Sequence, residues 1–116
     1  MLPRKHRLPL RTELARVQKE GRLFQGRLFS LLVCSTSEVS GLLRFGFIIS
    51  TKIHKKAVKR NRAKRLLNEA IGQLLPKIKP GFDVIVLAKK KIIDASLAEL
   101  KEELERLLII AEMMAR

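Results

Sequence analysis

The spacing of apolar residues changes period several times along the chain, and each change predicts a new element. Leu10, Leu14 and Val17 recur at helical spacing and predict a short first helix over Leu10 to Glu20, with Gly21 placed to end it. Its apolar stripe is narrow, so it needs a sheet to lie on. The pattern then shortens to that of strands: a short edge strand at Arg22 to Phe24, a turn at Gly26, and a strand over Leu28 to Cys34. That second run is apolar at nearly every position, which implies cover on both faces. After a Ser/Thr-rich loop at Ser35 to Gly41, Leu43 to Thr51 alternates, with Phe45, Phe47 and Ile49 facing one way and Gly46, Ile48, Ser50 and Lys52 the other.

Helical spacing returns at Lys56 to Leu75, where Ala63, Leu66, Leu67, Ala70, Ile71 and Leu74 share one side and Pro76 ends the run. Pro80-Gly81 signals a turn into a buried strand, Phe82 to Ala88, and Lys89 to Lys91 marks its return to the surface. A strand, a helix and another strand in succession imply a crossover and a parallel pair. Ser96 and Glu99 fit a capping box opening a last helix with Leu97, Leu100, Leu104, Leu107 and Leu108 on its apolar side. The whole predicts one small α/β (α+β) sandwich over 1–116, ordered α-β-β-β-α-β-α, preceded at 1–9 by a basic, mobile arm held extended by Pro3 and Pro9.

Charge adds a direction to this outline. Residues 1–65 hold 17 Lys and Arg against 3 acids, whereas residues 66–116 hold 8 against 8, so the entire excess of +14 lies in the first part. Seven of the eleven residues from Lys55 to Arg65 are basic and none is acidic. On the predicted middle helix, Asn61, Arg62 and Arg65 point away from the apolar side, Arg60 and Lys64 line one flank, and Lys59 the other. Like charges three and four residues apart repel, a cost that a polyanion lying against the helix removes. The partner implied is a polyanion bound with strong salt dependence, a membrane surface being the competitor to a nucleic acid.

Other chemistries find little support. No apolar run approaches the ~18 residues of a spanning helix, and the first ten residues have no signal-peptide core. A cytoplasmic location without membrane attachment is the expectation. Cys34 is single, so it provides neither a disulfide nor a cysteine metal site and reads as a small hydrophobe. Asp83 and Asp94 read as turn and capping groups. His6 and His54 are the one conceivable acid–base pair of a metal-free ribonuclease, a rival to the reading of both as ordinary solvent-exposed residues.

Ser50, Lys52, Lys56-Ala57-Val58, Arg60-Asn61-Arg62 and Lys64-Arg65 together resemble the signature of the protein subunit of bacterial ribonuclease P. The resemblance extends over nearly the whole chain: Arg7-Leu8, Gly21-Arg22, Phe29, Arg44-Phe45-Gly46, Gly81-Phe82-Asp83 and the Glu/Leu-rich last helix fall in the family's order. Leu14 stands where the family usually has Phe, Lys89 where it has Arg, and Ile53-His54-Lys55 lacks a customary Gly.

The resemblance implies a mixed four-stranded sheet with a left-handed βαβ crossover, resembling the ribosomal protein S5 domain 2-like fold. It also implies a non-catalytic subunit, one per catalytic RNA, that helps the RNA remove the 5′ leader of precursor tRNA. Magnesium would be held by RNA phosphates, with no cofactor bound tightly by the protein and no protein metal site. Carried over, Lys56, Lys59, Arg60, Asn61, Arg62, Lys64 and Arg65 would contact the RNA subunit. Leu14, Val17, Phe29, Ser50, Lys52 and Lys89 are the candidates for a cleft holding the single-stranded leader. An architectural RNA binder, such as a ribosomal protein of similar size, is the rival that composition alone does not separate.

Overall fold

The computed structural model describes residues 2–36 and 41–115, so most of the predicted loop Ser35 to Gly41 lies outside the described residues. The elements follow the predicted order: α1 (Leu10–Glu20), β1 (Arg22–Gln25), β2 (Phe29–Ser35), β3 (Arg44–Ile48), α2 (Ala57–Leu74), β4 (Phe82–Ala88) and α3 (Leu97–Ile110). Short 3-10 turns stand at Arg4–His6, Leu75–Lys77 and Lys90–Asp94. β3 stops at Ile48, three residues before the expected end. A turn closed by Ile53 N–H donating to the Ser50 carbonyl then hands the chain to α2.

The four strands form one mixed sheet in the order β1-β2-β4-β3. β2 is antiparallel to β1 and β4, while β3 runs parallel to β4 with Phe45 opposite Val84 and Phe47 opposite Val86. The parallel pair that the strand–helix–strand pattern required is therefore present. Strand alternation separates two faces. Phe29, Leu31, Val33, Phe45, Val84 and Val86 face α2 and α3 and join the larger core, which includes Ala63, Leu67, Ile71, Leu100 and Leu104. Leu32, Cys34 and Ile85 face α1 and meet Val17 and Leu8 in a smaller cluster. β2 is thus covered on both sides, as its unbroken apolar run implied.

Two close approaches explain particular glycines. Gly46 lets the start of α1 sit directly on β3, where a Cβ would lie 2.8 Å from a Leu10 methyl. Gly21 ends α1 as expected, but with an extended backbone (φ −79°, ψ 164°) in place of the left-handed turn that usually calls for glycine. Its requirement is space, since a Cβ would collide with the Val17 carbonyl.

The N-terminal segment departs from expectation. Leu2 and Leu8 are buried at 2% and 5% exposure, His6 Nδ1 lies 2.7 Å from the Leu43 carbonyl, and Leu8 N–H donates to the Phe45 carbonyl at 2.8 Å. Residues 2–9 dock on the body and extend its β3 edge. Two leucines spaced six apart bury enough apolar surface to hold a segment whose prolines and charges suggested a free arm.

Candidate nucleic-acid interface

α2 is built in two halves by its sequence. From Ala63 onward, Leu67, Ala70, Ile71 and Leu74 are buried, fixing the helix on the sheet and against α3. The first half overhangs that anchor. Lys56, Lys59, Asn61, Lys64 and Arg65 are exposed there, and so is Val58, with 77% of its surface in solvent. Lys56 occupies the N-cap position without a side-chain cap, and no acid stands in the first turn. The positive end of the helix dipole therefore adds to the side-chain charge where an acid would ordinarily offset it. The preceding loop is held by Arg60, whose Nη1 donates to the carbonyls of His54 (2.7 Å) and Lys55 (2.8 Å).

Arg62 behaves differently from its expected role. It is half-buried, and its Nη1 donates to the carbonyls of Ile93 (3.3 Å) and Ala95 (3.5 Å), latching the Lys90–Asp94 turn to α2. That turn comes from a distant part of the chain, so a helical wheel of α2 cannot show it.

On the opposite face, α1 covers only part of the sheet. Beside it lies a strip carrying Gln25, Ser30, Leu87 and Ile48, set side by side by the strand register. Leu87 and Ile48 are half-buried there. Leu14 is half-buried at the α1 edge, and Ser50 and Lys52 are exposed just past the end of β3. Lys89 lies at the end of β4, where its Nζ donates to the Gly26 carbonyl at 2.5 Å. Two of the expected cleft residues are corrected. Val17 is fully buried on the sheet-facing side of α1, and Phe29 is fully buried on the other face of the sheet, among the α2 and α3 contacts. Neither can touch a ligand. Ser30 is buried, while Ile48 and Leu87 stay half-buried on the strip; counting back by two from Ser50 and Lys89 along their strands finds Ile48 and Leu87.

The position of α1 is set by charge. Asp83, with no exposed surface, accepts from Arg44 Nε (2.8 Å) and Nη2 (2.9 Å) and from Arg16 of α1. Arg44 Nη2 also donates to Glu13 of α1 at 3.0 Å. Asp83 is thus the centre of an ion network, a role its place after Pro80-Gly81 did not reveal. The hydrogen bond from Arg44 holds the Glu13 carboxyl below its ordinary range, helped by Arg16 against the opposing effect of burial. Burial pushes the Cys34 thiol up, consistent with its packing as a hydrophobe even though Arg16 Nη1 lies 3.2 Å from its sulfur.

The histidines do not form a catalytic pair. His6 must carry its proton on Nδ1 to donate to the Leu43 carbonyl, whereas His54 Nδ1 accepts from the Lys56 N–H at 3.0 Å. Each ring is committed to its own stretch of backbone. Among the described residues, no group of three or more His, Cys, Asp or Glu is placed to hold a metal, and no helix is long and apolar enough to cross a membrane.

A basic helix overhanging an α/β core, with a strip of sheet open beside a first helix, is an arrangement with known relatives. The family model for Ribonuclease P matches residues 2–112. The chain belongs to the ribonuclease P protein family. The ribonuclease P protein component of Synechococcus elongatus is 35% identical, over 97% of this chain and 95% of that protein. That of Chloroflexus aurantiacus is 34% identical, over 90% and 76% respectively. Among solved structures, the ribonuclease P protein of Staphylococcus aureus matches with a TM-score of 0.82 at 28% identity, covering 94% of this chain and 97% of that one. The Thermotoga maritima ribonuclease P protein gives 0.78 at 29%, covering 88% and 94%. The mixed four-stranded sheet with three helices is thus the fold of ribonuclease P proteins, and the chain is the protein subunit of a ribonucleoprotein that matures tRNA 5′ ends, with the ribonuclease P RNA as its partner.

Proposed function

We propose that this chain grips the catalytic RNA with the first half of α2 and holds the 5′ leader of precursor tRNA along the open strip beside α1, one protein serving one RNA in the cytoplasm. The observation that carries this reading is the exposed, acid-free cationic face of α2 mounted on a rigid apolar anchor. Lys56, Lys59, Asn61, Lys64 and Arg65 make the direct contacts. Arg60 and Arg62 keep unused guanidinium donors for phosphate while shaping the loop and the turn they hold. Folded RNA is recognised through backbone and shape, which suits such a comb. The leader strip, with Leu14, Ile48 and Leu87 as floor and Ser50, Lys52 and Lys89 near its end, suits a single strand held by charge and backbone with little reading of sequence. In this reading magnesium sits on RNA phosphates and the RNA performs the cleavage, while the protein binds and orients the substrate.

Reconstitution tests it. Precursor tRNA, a bacterial ribonuclease P RNA and modest magnesium should give cleavage that this chain stimulates. Lys59→Ala with Arg65→Ala should weaken RNA binding and lower the magnitude of its salt slope by roughly 1–2 units, because each lost phosphate contact removes about 0.9. Cleavage by the protein alone, or a slope unchanged by the double substitution, would overturn the reading.

A further inference from the structure

Beyond the point where the N-terminal segment pairs with β3, the edge of that strand carries a groove that shares Arg60, Asn61 and Lys64 with the comb but has a floor of its own. Phe47, Ile49, Arg60, Asn61 and Lys64 line one part of it, a cavity of about 180 Å³. Through Phe47 and Lys64 it runs on into a second part of about 220 Å³, where Gly46 and Leu10 join the floor and Arg7 and Asn68 the rim. Each space is several times the ~30 Å³ of one water, enough to admit a heterocyclic ring. No acidic side chain lines either part, so the groove complements an anion.

Three features make that anion a nucleotide. Phe29 and Phe45 are fully buried, whereas Phe47 is half-buried and gives the groove a flat apolar wall. The amide of Asn61 and the N–H and C=O of the β3 edge supply donors and acceptors. Because Phe45 turns its carbonyl outward to Leu8, Phe47 turns its own backbone groups to the same side. Among the described residues the docked N-terminal segment pairs with the edge at Phe45 and leaves Phe47 open. Arg60 and Lys64 stand alongside for the phosphates.

We propose that the groove between the β3 edge and α2 is a nucleotide site that takes one unpaired base of the catalytic RNA against Phe47. The inference rests on the docking of α2 to that RNA and adds a site on the edge of the sheet, away from the leader strip. Its signature differs from that of the comb, because a stacked base contributes affinity without releasing counterions.

Phe47→Leu keeps an apolar group on the core and removes the flat ring. It should weaken holoenzyme assembly about fivefold or more at every salt concentration while leaving the salt slope as in the parent. In a second measurement that needs no substitution, the assembled holoenzyme is irradiated with ultraviolet light and digested with trypsin. The peptide spanning 45–52 should carry a nucleotide of the catalytic RNA whether or not precursor tRNA is present. Parent-like affinity for Phe47→Leu, a changed slope, an unmodified 45–52 peptide, or an adduct that appears only with the leader would each overturn the site. If the unsubstituted protein fails to bind the RNA at all, the docking reading falls and this inference falls with it.

Discussion

Among the described residues, 24 buried apolar residues make one continuous cluster on the α2 and α3 side of the sheet; on the α1 side there are 5, and much of the remaining contact is ionic. The difference separates two tasks. Apolar burial is strong and non-directional, so the first face supplies stability and carries α2 as a rigid platform. Charge pairing adds less net stability, but it is directional and costly to break. Arg44 and Asp83 belong to the sheet, Arg16 and Glu13 to the helix, and together they fix where α1 lies and hence the width of the strip beside it.

The comparison breaks most severely at Asp83. Asp83→Ala leaves Arg44 and Arg16 facing each other in a buried setting and should cost about 3–5 kcal/mol in urea unfolding. Hydrogen exchange should accelerate in α1 before α3. A loss under about 1 kcal/mol would show that the ion network does not hold the helix.

On the other face, Leu104→Ala removes a fully buried side chain from the large cluster and should cost about 2–5 kcal/mol. Here exchange should rise across β2, β4 and α2 together, because that face is one packed unit. Acceleration confined to α3 would contradict the picture of a single core.

A smaller effect sharpens the comparison through pH. Glu103 of α3 is 8% exposed; it accepts from the Leu28 backbone N–H and, at 3.0 Å, from Arg106. Burial works to raise its pKa, but these donors outweigh burial and hold it below the ordinary 4.5. The folded form is therefore favoured by the ionised carboxylate. Its contribution is complete above about pH 4.5 and is lost as pH falls through the lower folded value. Glu103→Gln should cost about 1–3 kcal/mol near neutrality, and the gap from the parent should narrow in acid. Glu13 has the same sign, so the parent keeps some acid sensitivity from α1 when Glu103 is replaced.

Elements with strong periodicity are legible in the sequence alone. The stripe from Ala63 to Leu74, the capping box at Ser96 and Glu99, and the two-sided burial of β2 all stand as the pattern required. Within the site, the exposed cations of α2 were equally plain. What stayed hidden depends on partners distant in sequence. β2 is apolar on both faces, so its composition cannot say that Phe29 turns toward α3 while Ser30 and Leu32 turn toward α1. Arg62 looked free because the turn it latches begins 28 residues later, at Lys90. Asp83 looked like a turn residue because the two arginines it joins lie 39 and 67 positions upstream.

The order of the strands bears on how the chain is completed during synthesis. β4, the last strand made, lies in the middle of the sheet, and β3 has no other strand beside it. The β1–β2 hairpin can close early, but the cation-rich first 65 residues emerge from the ribosome with β3 still lacking β4 beside it and no α3 to pack against. Native assembly waits for Phe82–Ala88 to slot between two strands already translated. The nascent protein thus spends that interval as an open polycation among ribosomal RNA, and long-range closure of this kind makes the final step the slow one.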